Sequence, residues 1–200
     1  MSAAIKFNRI MAVEGKDEVH FFTCLLNYLG KENFEIVDIG GTVQFNDKYP
    51  ALIKRSGFSR VEKLAIIRDA EDSAENAFKS IKNIMLKERI TPPERPGQFS
   101  SGRPNIGIFI MPGDFKKGML EDLCLRTVKD NPALKCAEAF IECALKLNHP
   151  PKNIAKAKAQ AFLAVMPEIV SSVGIGAEKD YWDFSSDELK NLKIFLNDFA

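Results

Sequence analysis

The sequence predicts an α/β fold: a Rossmann-like, mostly parallel four-stranded sheet with helices on both faces, followed by a C-terminal helical segment. Short apolar runs of strand length alternate with helical stretches as far as about residue 130. Strands joined in this way pair in parallel through right-handed crossovers and are covered on both faces. Beyond Asn131-Pro132 the pattern is helical only. A chain of 200 residues is about one domain's worth. We therefore expect a single domain, with an α/β core over about 5–130 and a helical extension over about 131–200.

The elements follow in order. Ile10-Met11-Ala12-Val13 is a short buried run, and Val19, Phe22, Leu25, Leu26 and Leu29 then mark one face of a helix. Residues 34–39 form the second strand and 49–55 a helix. Lys63-Leu64-Ala65-Ile66-Ile67-Arg68 is the third strand, and the helix after it covers 73–89 with Ala77, Ile81, Ile84 and Met85 inward. Residues 91–104, rich in Pro, Gly and Ser, form an irregular loop. Leading from a helix into a strand, it belongs at the amino ends of the strands, away from where ligands bind. Ile106 to Met111 is the fourth strand, with a helix starting near Gly118. Further helices are expected over 133–147, 155–165 and 187–199.

Composition excludes several classes. The chain is 46% hydrophobic and 28% charged, with 28 basic against 27 acidic residues. That balance is globular and creates no global field for a polyanion, so nucleic acid would need a local basic patch or a bound metal. Cys24, Cys124, Cys136 and Cys143 lie in apolar helical stretches without Cys-x-x-Cys spacing and read as buried free thiols. No run has the length of a membrane span, and Met1-Ser2-Ala3-Ala4-Ile5-Lys6 leads into a strand without a signal-peptide core. A cytoplasmic location without membrane contact is expected.

Acidic residues stand where successive strands stop: Glu14, Asp69 and Asp114. Asp17 and Glu18, Glu71 and Asp72, and Glu121 and Asp122 follow close behind. One such residue alone is ordinarily a helix cap or a dipole partner. Three strand ends on one edge ask for more, because like charges raise one another's pKa values unless a cation compensates. Hard oxygen ligands suit Mg²⁺ or Mn²⁺, whose remaining coordination positions take water and phosphate oxygens.

Val13-Glu14-Gly15-Lys16-Asp17-Glu18 and Arg68-Asp69-Ala70-Glu71-Asp72 resemble the Toprim domain of topoisomerases, primases and OLD nucleases: a Glu, usually followed by Gly, at the first strand end, and Asp-x-Asp at a later one. The whole chain, including Gly118 to Leu123 and Asp180-Tyr181-Trp182-Asp183-Phe184, looks most like small stand-alone Toprim-related proteins. The resemblance implies metal ligation by Glu14 and Asp69, with Glu14 also an acid or base. Its OLD branch adds Glu18, Glu121 and a late lysine, for which Lys156 or Lys158 stands. Glu replaces the second Asp of the motif, so either Glu71 with its extra methylene or Asp72 fills that position.

Other residues carry weaker signals. His20 and His149 have no ligand partner at suitable spacing. Gly40-Gly41-Thr42 is a tight turn at the carboxyl edge, and Asp114-Phe115-Lys116-Lys117, between Gly113 and Gly118, is a loop whose lysines could meet a polyanion. Tyr181, Trp182 and Phe184 more often pin a last helix than stack bases. The function expected is Mg²⁺- or Mn²⁺-dependent, nuclease-like phosphodiester cleavage of DNA or RNA. The alternative is a non-catalytic module that binds metal or nucleotide.

Overall fold

Runs of Ile, Val, Leu and Met too apolar for a solvated face become strands buried on both sides. The computed structural model describes residues 4–200, apart from the side chain of Thr42. Met1, Ser2 and Ala3, expected to lead into the first strand, lie outside the described residues. The strands are β1 (Arg9–Val13), β2 (Glu35–Asp38), β3 (Lys63–Asp69) and β4 (Asn105–Met111), all parallel in the order β2-β1-β3-β4. Helices α1 (Lys16–Tyr28), α2 (Thr42–Ile53) and α3 (Ala74–Lys87) connect them. After β4 come α4 (Leu120–Thr127), α5 (Pro132–Ala144), α6 (Ile154–Ala164), α7 (Val173–Glu178) and α8 (Lys190–Phe199).

Alternating strand residues enter two separate cores. Met11, Val13, Ala65, Ile67, Phe109 and Met111 pack with α1 and with the helices after β4. Ile10, Ala12, Leu64, Ile66, Ile106 and Ile108 pack with α2 and α3. Each Ile or Leu taken fully from water contributes about 1.5–3 kcal/mol, so the sheet is held from both sides. Side-chain caps start α3, α5 and α6: Ser73 accepts from Asn76 N at 3.2 Å, Asn131 accepts from Ala133 N, and Asn153 accepts from Lys156 N. No helix among the described residues is long and apolar enough to cross a membrane.

Several expectations need correction. The second helix begins at Thr42, not near 49; Phe45, Tyr49 and Leu52 are its buried side chains among the described residues, and Pro50 inside it masks the periodicity. Helix α7 was not anticipated, because Val173-Gly174-Ile175-Gly176 reads as weak helix former. Its glycine is required by a close crossing with α1: a Cβ at Gly174 would stand 2.6 Å from Asp17 O and 2.8 Å from His20 Cβ. Residues 91–104 do not stay at the amino ends. Gly97 N and Ser100 N donate to Ile108 O and Ile106 O at 2.7 and 2.9 Å, so the loop covers the outer edge of β4. Of the four thiols only Cys124 is buried; Cys136 and Cys143 are exposed on α5. Trp182 is 2% exposed, donates to Val173 O at 2.8 Å and stacks on Phe162, which leaves no face for a base.

Candidate functional site

The connections after β1 and β3 run to opposite sides of the sheet, so the strand order reverses between these two neighbours. Such a switch point opens a crevice beyond the strand ends. Glu14 directly follows β1 and Asp69 ends β3, which places both carboxylates in that crevice. Glu14 Oε1 accepts from Arg68 Nε at 2.8 Å and from Asp69 N at 3.3 Å. Arg68 is a buried guanidinium, its side chain 2% exposed, lying over the Phe45 ring at 5.7 Å. The sequence reading missed it as a site residue. Its signal was visible: a lone cation inside the buried run Leu64-Ala65-Ile66-Ile67 needs a partner.

Asp69 Oδ1 accepts from Leu120 N at 3.0 Å, tying the end of β3 to the first residue of α4. A backbone bridge between Glu71 and Gly118, 2.9 Å in each direction, closes the same junction. Gly118 is needed there: its φ is +140°, and a Cβ would stand 2.9 Å from Asp122 Oδ2, which itself accepts from Met119 N. Glu18, in the first turn of α1, and Glu121, in the first turn of α4, complete a cleft of about 940 Å³. Glu71 and Asp72 line it from more exposed positions.

Burial pushes the Asp69 carboxyl well above its ordinary value, and the nearby carboxylates of Glu14, Glu18 and Glu121 push it further. Glu18 is raised by burial and then by Glu14 and Glu121. Glu121 is raised by burial, against the pull of Lys156. Three acids facing one cleft therefore hold protons more tightly than free acids do.

The remaining candidates separate. Lys156 lines the cleft with its Nζ 4.0 Å from Glu121 Oε1, whereas Lys158 pairs with Glu138 at 3.1 Å outside it. Asp114 stands apart from the carboxylate group expected of it. Slight burial raises it, but the Lys116 amide and Arg126, 3.1 Å away, lower it on balance. His20, read as lacking an acidic partner, contacts Glu178 of α7, which folding brings from 158 residues away. Gly40 at φ +68° donates to Asp38 Oδ1 at 2.7 Å, as a tight turn does.

The all-oxygen donor set has the chemistry of a hard divalent ion. Glu14 Oε1 is engaged by Arg68 and Asp69 Oδ1 by Leu120, and among the described residues no three His, Cys, Asp or Glu side chains are grouped tightly enough to hold an ion as they stand. Glu14, Glu18, Asp69 and Glu121 line one cleft and have the donor chemistry for such an ion, but they do not form a closed shell around one.

The model of a family described as "Protein of unknown function (DUF3226)" matches residues 8–200. No curated protein matches the sequence. Among solved structures, the C-terminal region of the Burkholderia pseudomallei OLD protein is similar over 98% of this chain and 100% of that one, with a TM-score of 0.52 and 13% identity. The C-terminal region of the Xanthomonas campestris pv. campestris OLD protein matches over 97% and 96%, with a TM-score of 0.49 and 13% identity. At such identity the likeness to the Burkholderia protein concerns the fold.

Proposed function

We propose, from the premise that the chain belongs to the DUF3226 family, that it is a Mg²⁺- or Mn²⁺-dependent phosphodiesterase of nucleic acid with a Toprim-type site. The observation that carries this reading is the meeting of Glu14 and Asp69 on neighbouring strand ends, in one cleft with Glu18 and Glu121. The fold likeness to an OLD C-terminal region supports nucleic acid as the substrate, because the resemblance of Glu14, Glu18 and Glu121 to OLD positions implies a nuclease site. Glu14, Glu18, Asp69 and Glu121 would hold the ion, with Glu71 or Asp72 at a further position. The ion would supply Lewis acidity, offsetting charge that grows on the phosphate and making water a better nucleophile. Arg68 and the Leu120 amide fix the orientations of Glu14 and Asp69. Lys156 would place a cation where the leaving oxygen gains charge.

The test incubates single- and double-stranded DNA and RNA with the protein in Mg²⁺, Mn²⁺ or chelator. Cleavage in Mn²⁺ that Asp69→Ala abolishes is expected. Absence of both cleavage and any Mn²⁺-dependent rise in Tm would overturn the reading. A second reading, a module that binds metal or nucleotide without cleavage, is favoured by Arg68, which already compensates Glu14. It predicts the thermal shift alone.

A further inference from the structure

Between β4 and α4, residues 113–118 form a loop bounded by two glycines with positive φ, Gly113 at +102° and Gly118 at +140°. Its base is pinned. Asp114 Oδ1 accepts from Lys116 N at 3.2 Å, Asp114 Oδ2 lies 3.1 Å from Arg126 Nη1, and Gly113 O accepts from Asn191 Nδ2 at 3.3 Å. From this anchored base Phe115 projects outward, 70% exposed and at φ +59°. A non-glycine residue is strained in such backbone, and an exposed aromatic ring adds unburied apolar surface. Glycine or asparagine there would relieve both. Two unfavourable features at one residue, whose ring makes no aromatic pair among the described residues, point to a ligand.

The two sides of the loop differ. Phe115 lines a groove of about 260 Å³ whose walls are mainly apolar and include Phe109, Pro96 and Ile194. Two residues on, Lys117 lines the acidic cleft and has no ion-pair partner among the described residues, whereas Lys116 is held by Asp114 at 3.5 Å. An aromatic face beside a free cation is the combination that grips an unpaired strand, base on ring and phosphate on ammonium. A paired base keeps its face inside the duplex stack and cannot reach Phe115.

We infer that this loop is a single-strand grip: Phe115 stacks on an unpaired base over the groove, and Lys117 takes the phosphate that leads the chain into the cleft. The inference rests on the phosphodiesterase reading for the role of that cleft and names its substrate class as single-stranded or frayed nucleic acid.

Fluorescence anisotropy with labelled short oligothymidylate, an abasic chain of equal length and a duplex tests it, in chelator and in Ca²⁺. Wild type should prefer the single strand. Phe115→Ala should weaken oligothymidylate binding about ten-fold and leave the abasic chain unchanged. Lys117→Ala should weaken both and lower the salt slope by roughly 0.7. Phe115→Trp should keep affinity, with its indole quenched on binding. Equal binding of duplex and single strand, no effect of Phe115→Ala, or no binding at all overturns the inference. Phe115-dependent binding without cleavage in any metal removes the phosphodiesterase reading alone. Metal-dependent cleavage of single strands that Phe115→Ala leaves untouched removes the grip alone.

Discussion

Replacing Arg68 by Met keeps an unbranched apolar stem to about the position of Nε and removes the guanidinium, the only buried cation among the described residues. The guanidinium is 2% exposed and its partner Glu14 14%, with 2.8 Å between Nε and Oε1. Breaking a buried pair by removing one member costs about 3–5 kcal/mol, because the survivor is left charged in a poor solvent. Glu14 opens onto the cleft and keeps the Asp69 amide at 3.3 Å, so the lower end, about 3 kcal/mol, applies. For a chain of this size each kcal/mol moves Tm by about 2–4 °C, giving a fall of about 6–12 °C. Urea and thermal unfolding in chelator measure it, with Glu14→Gln and the double variant completing the cycle. The double variant should be more stable than the summed single losses predict by about 1–3 kcal/mol. Loss of less than about 1 kcal/mol in Arg68→Met, or an additive cycle, would refute the argument that Glu14 depends on Arg68.

Asp69→Asn keeps the acceptor for Leu120 N and removes a buried like charge, so the metal-free protein should melt higher while the Mn²⁺-dependent rise in Tm disappears; a lower metal-free Tm counts against charge crowding. Asp69, Glu18 and Glu121 all bind protons more tightly folded than unfolded. Stability from them is therefore complete below their ordinary values of 3.8 and 4.5 and is lost as pH rises through the elevated ones. Urea melts across that window should show the decline in chelator, smaller in Glu18→Gln, and saturating Mn²⁺ should flatten it. Gly174→Ala should cost about 1–3 kcal/mol, since its Cβ meets backbone at 2.6 Å; an unchanged urea midpoint would show that α1 and α7 separate freely.

Much of the site was legible because strand ends are local features. Ile10 to Val13 and Leu64 to Ile67 are apolar enough to be strands wherever they stand, so Glu14 and Asp69 fall at their carboxyl ends without reference to any partner. Helix α2 and helix α7 were harder. Pro50 and the pair Gly174 and Gly176 contradict helix locally, and packing overrides them. Asp114 followed the same strand-end rule and still left the group, because Arg126, one helix away, draws it aside.

What the sequence determined by itself, then, is the layering of a parallel sheet between helices and the edge on which the acids gather, since period and burial are written in neighbouring residues. Partnership was decided only by the tertiary structure. The order β2-β1-β3-β4 makes β1 and β3 neighbours, and this sets Arg68 under Glu14 across 54 positions of chain. It is also the packing of α6 that turns Lys156 toward the cleft and Lys158 toward Glu138. A charge at an interior position demands a counter-charge, but which one it meets depends on strand order and helix docking, and neither is encoded within any one segment.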